Sequence, residues 1–255
     1  MSENNKTMIP KVIHYCWFGG NKLPHYAKRN IVSWKKFFPE YEIKEWNETN
    51  FDINICAYVR EAYSAKKWAF VSDYARFWIL YTCGGIYFDT DVEAIKNFDD
   101  IIAKGPFMGL QSEIEVAPGL GLAANPGLGL FKDILDYYEK QHFIMNEVSA
   151  KQITVVEHVT AILKENGLKD IQGIQEVRGV YIYPKDYFNP MDHETGELLI
   201  TQNTHSIHHY AASWCNDGSR LRGKVYRFLT RYFGSRFSKT VKDIWQHYKR
   251  KTRND

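Results

Sequence analysis

A long helical pattern, two glycines and an apolar strand stand directly before a pair of aspartates in this sequence. Residues 66–83 contain no Gly or Pro and repeat apolar residues at helical spacing, and Gly84 and Gly85 are typical of a helix C-terminus. The segment IYFDTDVEAI that follows predicts a strand, in which side chains two positions apart face the same side. Asp89 and Asp91 are therefore expected to point to one side at a strand end.

The first fifty residues predict a strand, a helix and a second strand. Residues 12–18 are a β-rich apolar run that ends at Gly19 and Gly20, residues 25–38 carry apolar side chains near helical spacing, and residues 41–46 form another short strand. This order is the βαβ pattern of an α/β layer. We therefore expect an α/β fold with the two aspartates at the carboxyl end of a strand, where open α/β sheets bind ligands.

Further elements are predicted after the aspartates. Residues 105–129 are rich in Gly and contain Pro, which predicts a strand, a loop and a strand with close approaches of the backbone. The remaining expectations are helices at 131–142 and 155–166, a strand with an irregular loop at 180–190, and a last strand at 204–214.

Composition excludes several classes of protein. The chain has 255 residues, 44% hydrophobic and 25% charged, as in an ordinary globular protein, which excludes global disorder. Its four cysteines form no CxxC pair, which argues against a zinc finger and fits a reducing cytosol. No signal-peptide core is present and no window approaches the run of about 18 to 20 apolar residues that spans a bilayer. We therefore expect neither secretion by that route nor a transmembrane protein.

Positive charge is concentrated at the end of the chain. Residues 218–255 contain 12 Lys or Arg and 2 acidic residues, whereas residues 1–217 contain 21 basic and 28 acidic ones. Apolar residues recur every three or four positions in the basic segment, which predicts an amphipathic helix. We expect a catalytic domain at 1–217 and a basic helical extension at 218–255. The extension either lies on an anionic membrane or packs on the catalytic domain, and the acidic body argues against nucleic-acid binding.

The two aspartates have the chemistry of a cation site. Carboxylate oxygens at i and i+2 suit Mg²⁺ or Mn²⁺ that also bridges the phosphates of a nucleotide. The alternative is a solvated turn, because a DxD triplet also occurs by chance. His208 and His209 are neighbours on a predicted strand and face opposite sides, so at most one of them joins such a site. For that histidine, the alternative is a structural role.

A second group of candidates precedes the aspartates. Asp73 and Arg76 share a helix face, and their apolar flanks in WAFVSDYARFWIL predict a buried pair that needs further polar partners. A surface ion pair is the alternative. Trp17 either stacks on a base or is an ordinary core residue. Neither GxGxxG nor GxxxxGK[ST] is present, so a bound nucleotide diphosphate would need a metal to neutralise it.

Three segments together resemble a known family. IPKVIHYCWFGG, AFVSDYARFWILYTCGGIYFDTDVE and IHHYAASW are similar, in the same order over residues 9–214, to the DxD-containing sugar transferases of glycosyltransferase family 32. That family includes the yeast initiating mannosyltransferase and bacterial capsule and lipopolysaccharide enzymes. A more distant resemblance is to the catalytic domain of clostridial glucosylating toxins.

The resemblance implies a single-domain GT-A fold, Mn²⁺ or Mg²⁺, and a nucleotide-sugar donor, with UDP-hexose preferred and GDP-mannose as the second candidate. The implied catalytic residues are Asp73, Arg76, Asp89 and Asp91. The implied metal ligands are Asp89, Asp91 and His209, or His208 if the register differs by one. The implied donor-binding residues are Trp17, Ser72, Asp73, Arg76, Tyr87, Asp89, Asn125, Ser213 and Trp214.

We expect from these features a metal-dependent, retaining hexosyltransferase that extends a surface polysaccharide or oligosaccharide on a lipid-linked acceptor. Such an enzyme would be cytoplasmic, with peripheral contact to the inner face of the plasma membrane. Two alternatives use the same donor site: a nucleotide-sugar hydrolase, and a non-catalytic sugar-binding scaffold.

Overall fold

The computed structural model describes residues 8–143, 154–192 and 197–211. The strands in these ranges are β1 Val12–Cys16, β2 Glu42–Trp46, β3 Gly85–Tyr87, β4 Val92–Ala94, β5 Phe107–Gly109, β6 Leu122–Ala124, β7 Gln175–Val177, β8 Val180–Tyr183 and β9 Ser206–His208. The helices are α1 His25–Phe37, α2 Ala57–Ser64, α3 Trp68–Cys83, α4 Asp99–Ile102, α5 Gly129–Glu139, α6 Val155–Glu165 and α7 Lys185–Phe188, with a 3-10 turn at Pro118–Leu120.

Seven strands form one mixed sheet in the order β2-β1-β3-β6-β5-β8-β7. β1 runs parallel to β2 and β3, and β6 runs antiparallel to β3 and β5. β8 is parallel to β5 and antiparallel to β7, while β4 and β9 form a separate antiparallel pair. The expected α/β class is confirmed, and β1, α1 and β2 form the expected βαβ unit.

Two core clusters cover the two faces of the central sheet, as the alternation of side chains along strands requires. Ile86 and Phe88 pack in one cluster with Trp34 of α1, whereas Tyr87 packs in the other with Phe77 of α3. The ring centroids of Trp34 and Phe88 are 5.5 Å apart. The alternation expected for the residues before Asp89 is therefore present.

The end of α3 sets the direction in which the chain enters the sheet. The helix ends at Cys83 and is capped by Gly84, whose φ is 67°, and Gly85 follows with a φ of 102°. A Cβ at Gly84 would lie 2.6 Å from Cδ of Pro126, so both the backbone and the space require glycine there. The chain turns directly from α3 into β3 and carries Asp89 to the sheet edge.

The strand expected over IYFDTDVEAI is divided in two. β3 ends at Tyr87, and the N–H of Val92 donates to the carbonyl of Asp89 at 3.0 Å, which closes a tight turn. That turn moves the chain out of the central sheet, so β4 pairs with β9 instead. The expected last strand at 204–214 is also shorter, because β9 ends at His208.

The chain divides into two compact units. The first comprises Met1–Pro190 and Ile200–His209 and contains both sheets. In the second, which comprises Met191–Leu199 and Tyr210–Asp255, a bridge pairs Met191 with Leu198. The expected domain boundary at 217 and the expected basic helix lie outside the described residues. Each helix within the described ranges is too short or too polar to cross a membrane.

Candidate active site

Arg76 stands at the centre of a buried charge cluster. Its side chain is 5% exposed, and Nη2 lies 3.0 Å from Oδ1 of Asp73 and 3.3 Å from Oδ1 of Asp89. Its Nε donates to the carbonyl of Ser72 at 3.1 Å, one helical turn earlier on α3. The Asp73–Arg76 pair is therefore buried, and Asp89 supplies the further polar partner that a buried pair requires.

Asp89 is held from three directions at the carboxyl end of β3. The hydroxyl of Tyr87 donates to its Oδ1 at 3.0 Å, and its backbone N–H donates to the carbonyl of Gly119 at 3.2 Å. The guanidinium of Arg76 lies over the Tyr87 ring, 5.1 Å from Cζ to the ring centroid. These contacts fix the carboxylate at the edge of the central sheet.

The β4–β9 pair brings His208 to the two aspartates. Val92 lies opposite His208 in the register, and the N–H of His209 donates to the carbonyl of Asp91 at 2.9 Å. Nε2 of His208 is 3.1 Å from Oδ1 of Asp91. Asp89, Asp91 and His208 each offer one ligand atom, and these atoms all lie within 4.8 Å of one another.

His209 faces the other side of the pair of strands. Its Nε2 lies 2.7 Å from Oε2 of Glu93, a residue that the sequence did not single out. The family resemblance implies His209 as the metal ligand, or His208 if the register differs by one. The structure brings His208 to the aspartates instead, because β9 pairs with β4 in the register that sets His208 opposite Val92.

Trp17 lies at the same sheet edge as Asp89, because β1 and β3 are parallel neighbours. Its indole N–H donates to the carbonyl of Asn21 at 2.7 Å, and its side chain is half-buried. The loop after Trp17 is held by Glu48, whose Oε1 accepts the N–H of Gly19 at 2.6 Å. Base stacking on Trp17 stays a prediction.

Cys16 lies beneath the cluster and was not expected there. It is buried and belongs to the same core cluster as Tyr87. Burial raises the pKa of this thiol to about 12, so the group is neutral at physiological pH. No motif marks it, since a cysteine in an apolar strand is an ordinary core residue.

Burial and mutual repulsion shape the protonation of the cluster. Burial raises the pKa of Asp73 to about 6, while Arg76 opposes that shift. Burial also raises the pKa of Asp89 against the opposing effect of Arg76, and Asp91 adds to the rise. Burial works to lower the pKa of His208, but the nearby Asp91 carboxylate outweighs it and the pKa is raised. Three carboxylates beside one guanidinium favour the binding of a cation.

The donor atoms of the cluster fit a divalent metal. Asp89 and Asp91 offer hard oxygen ligands, which suit Mg²⁺ and Mn²⁺. The imidazole of His208 adds a nitrogen ligand, which first-row transition metals accept more readily than Mg²⁺ does. The set therefore offers both oxygen and nitrogen donors to a divalent cation.

Asn125, which was also named from the sequence, is not brought to this cluster. Asn125 follows β6, which is antiparallel to β3 with Ala124 opposite Gly85. It therefore stands at the amino end of β3, whereas Asp89 follows the carboxyl end. Ser213 and Trp214 lie outside the described residues.

Gly119 is a site residue that the sequence indicated only indirectly. It belongs to the 3-10 turn before β6, and its carbonyl accepts the N–H of Asp89. The Gly-rich composition of 105–129 predicted close backbone approaches, but it did not say which glycine meets which side chain.

Comparison with known proteins finds a match for the part of the chain that carries Asp73, Arg76, Asp89 and Asp91. Residues 24–108 match the family described as a glycosyltransferase sugar-binding region containing a DXD motif. Inositol phosphoceramide mannosyltransferase 1 of Schizosaccharomyces pombe is 30% identical over 111 residues, which are 39% of this chain and 33% of that protein. Inositol phosphoceramide mannosyltransferase 3 of the same organism is 28% identical over 108 residues, which are 39% and 29% of the two chains.

The chain therefore spans about a third of the length of these two relatives. A solved structure of the PaToxG glycosyltransferase aligns over 62% of this chain and 69% of its own, with a TM-score of 0.46 and 18% identity. Within the matched span, the DXD triplet is Asp89-Thr90-Asp91. Residues 24–108 of this chain are therefore similar to the glycosyltransferase sugar-binding regions that contain a DXD motif.

Proposed function

We propose that this chain is a metal-dependent glycosyltransferase of the GT-A fold that moves a hexose from a nucleotide-sugar to an acceptor hydroxyl. One observation carries the proposal: Asp89 and Asp91, which lie in the span similar to the DXD family, converge with His208 beside Arg76. Their position at the carboxyl end of a sheet strand is where open α/β sheets bind ligands.

Asp89, Asp91 and His208 would hold the cation, Mn²⁺ in the first place and Mg²⁺ as the alternative. A bound divalent cation supplies positive charge that stabilises the leaving nucleoside diphosphate. The protein's part is to keep the three ligand atoms in place before the donor arrives. Fixed ligands reduce the reorganisation that metal and donor binding would otherwise require.

The remaining residues orient these ligands and the donor. Arg76 and Tyr87 both engage Oδ1 of Asp89, which directs the carboxylate. The side chain of Asp73 is 12% exposed and is oriented by Arg76. Its carboxylate can therefore accept a hydrogen bond from a hydroxyl of the donor sugar. Trp17 would stack on the base and Ser72 would contact the donor, as the sequence resemblance implies.

The donor is either a UDP-hexose or GDP-mannose. The sequence resemblance of WFGG and SDYxR to toxin catalytic domains supports UDP, whereas the two yeast relatives are named mannosyltransferases. Discrimination between hexoses depends on contacts to single hydroxyls, so nucleotide identity is the first quantity to measure.

We also propose that the anomeric configuration is retained by attack of the acceptor on the same face of the donor sugar. Asp73 and Asp89 are both engaged by Arg76, which supports this route over a covalent glycosyl-enzyme. Mass spectrometry of the protein with donor alone should show an unchanged mass. A protein-bound hexose on Asp73 would contradict same-face attack.

The acceptor we propose is a lipid-linked saccharide of a capsule or lipopolysaccharide, reached by a cytoplasmic enzyme at the inner face of the plasma membrane. The basic, amphipathic sequence of 218–255 supports this proposal. The full chain should bind vesicles of anionic lipid, and a variant that ends at residue 217 should not. Equal binding of both forms would assign the segment another role.

Calorimetric titration with UDP and with GDP, each with Mn²⁺ and with EDTA, tests the central proposal. We expect one nucleotide to bind only with Mn²⁺, and Asp91→Ala to abolish that binding. Asp136→Ala is the control, because Asp136 is an exposed α5 carboxylate paired with Lys132 outside the cluster. Absence of binding by either nucleotide in the wild type would overturn the proposal. Release of free hexose with no transfer to any acceptor would assign a hydrolase.

A further inference from the structure

We infer that Gly119 is a positioning residue whose missing side chain makes room for the carboxylate of Asp89, and so sets the geometry of the cation site. This inference rests on the proposed function only in the identity of the cation. Gly119 lies outside residues 24–108, the span that matches the DXD family.

The first observation is the space that each oxygen of Asp89 occupies. Oδ1 is engaged by Arg76 and Tyr87, at 3.3 Å and 3.0 Å. Oδ2 lies against Gly119: a Cβ there would be 2.1 Å from Oδ2 and 3.0 Å from Cγ of Asp89. A contact of 2.1 Å is far below any van der Waals separation, so the carboxylate would have to move.

The second observation is that the backbones of Asp89 and Gly119 are linked and cannot move apart easily. The N–H of Asp89 donates to the carbonyl of Gly119, so the backbones of the loop after β3 and of the 3-10 turn are joined at this point. The same turn is tied back to the sheet through Ala117, whose N–H donates to the carbonyl of Gly109 at 3.0 Å. The strain of an added methyl group would therefore fall on the Asp89 side chain.

The third observation is that the backbone of Gly119 does not itself demand glycine. Its φ lies outside the left-handed range, unlike that of Gly121 two residues later, where φ is 142°. An alanine at 119 would therefore not force a residue with a side chain into a left-handed backbone conformation. Any effect of Gly119→Ala on the cation site can then be attributed to the contact with Asp89. A Cβ at 119 would also be 3.4 Å from Nη1 of Arg76, a contact that leaves Arg76 nearly undisturbed.

Displacing the carboxylate of Asp89 would break up the cation site. The ligand oxygen of Asp89 would move away from the ligand atoms of Asp91 and His208, which now lie within 4.8 Å of it. Oδ1 of Asp89 would also lose its contacts with Arg76 and Tyr87. Loss of residues that orient metal ligands lowers metal affinity by about 10 to 100-fold.

Manganese titration of the full chain tests the inference, with Gly119→Ala compared against Gly129→Ala. Gly129 is the control because it begins α5, and a Cβ there meets only Arg178 at 3.5 Å, an ordinary contact. We expect Gly119→Ala to weaken Mn²⁺ binding by about 10 to 100-fold, and Gly129→Ala to leave it unchanged. Wild-type affinity in Gly119→Ala would overturn the inference.

Thermal unfolding without metal provides a second readout that does not depend on the proposed function. Gly119→Ala should lower the Tm in the wild-type chain but not in an Asp89→Ala background, because the clashing carboxylate is then gone. An equal fall of Tm in both backgrounds would mean that Gly119 supports the turn rather than Asp89, and would overturn the inference. If the wild type binds no Mn²⁺, the cation proposal fails while this coupling still decides the role of Gly119.

Discussion

The guanidinium of Arg76 forms ion pairs with two carboxylates, those of Asp73 and Asp89. Removing one partner of a buried ion pair costs about 3 to 5 kcal/mol, because the remaining charge stays buried. Asp73 can reduce that cost by taking up a proton, and its pKa is already raised to about 6 by burial. The loss should therefore lie at the lower end of that range.

We expect Arg76→Gln to lower the free energy of unfolding by about 3 kcal/mol at pH 7. The same substitution should cost less in an Asp73→Asn background, because no charge at residue 73 is left without its partner. Urea unfolding of the single and double variants measures the difference. Equal costs in both backgrounds would show that Arg76 stabilises the fold independently of Asp73.

The two adjacent histidines of β9 have different neighbours and should behave differently. We expect His208→Ala to weaken Mn²⁺ binding by about 10-fold or more, because it removes a ligand atom beside Asp91. His209→Ala should leave Mn²⁺ binding nearly unchanged, since His209 pairs with Glu93. Calorimetry on both variants measures the contrast, and the reverse order of effects would make His209 the ligand.

At the scale of elements, His14 links three parts of the fold. The indole N–H of Trp46 on β2 donates to its Nδ1 at 3.0 Å, and its own Nε2–H donates to the carbonyl of Gly84 at the end of α3 at 2.9 Å. These two bonds require the neutral imidazole. Burial lowers the pKa of His14 to about 4, which agrees with that state.

This depressed pKa predicts how stability depends on pH. The unfolded chain protonates His14 near pH 6.5, whereas the folded chain keeps it neutral down to about 4. The contribution of His14 is thus complete above pH 6.5 and is lost as the pH falls. Between pH 7 and pH 5 the loss is about 2 kcal/mol.

His14→Gln should remove that part of the acid destabilisation, since Gln does not titrate. The measurement is the free energy of urea unfolding at pH 7 and pH 5 in both proteins. His158, whose pKa burial also lowers to about 4, remains in both and cancels in the comparison. The same pH dependence in wild type and variant would contradict the role given to His14.

At the scale of the whole molecule, strand direction decides which residues can share a site. β1 and β3 run parallel, so Trp17 and Asp89 follow them at one edge. β6 runs antiparallel to β3, so the residues before β6, including Gly119, reach that edge while Asn125 after it reaches the opposite one. The sequence position of Gly119 or Asn125 does not show which edge of the sheet the residue reaches, because that depends on the direction of β6.

Asn125→Ala should therefore leave Mn²⁺-dependent nucleotide binding unchanged. The measurement is the calorimetric nucleotide titration that is also used for Asp91→Ala. Ser72→Ala, which changes a residue on the α3 side of the cluster, is titrated for comparison. A loss of nucleotide affinity in Asn125→Ala would mean that Asn125 contacts the donor after all.

Local patterns predicted the elements that frame the site. The apolar helix, the two glycines after it and the βαβ unit were all visible, because helical spacing and glycine stops are properties of consecutive residues. The division of IYFDTDVEAI was not visible, because the turn at Asp89 depends on β9, which lies more than a hundred residues later. The expectation of one strand was wrong for that reason.

The chemical groups available to the site follow from the amino-acid sequence: the DXD aspartates, the Asp73–Arg76 pair on one helix face, and two adjacent histidines of which one could join them. Tertiary structure alone decided their arrangement. The register of β4 with β9 brings His208 rather than His209 to the aspartates, and the antiparallel β6 brings Gly119 rather than Asn125 to Asp89. Strand register and direction depend on which distant segment each strand pairs with, and the local pattern of one segment does not identify its partner.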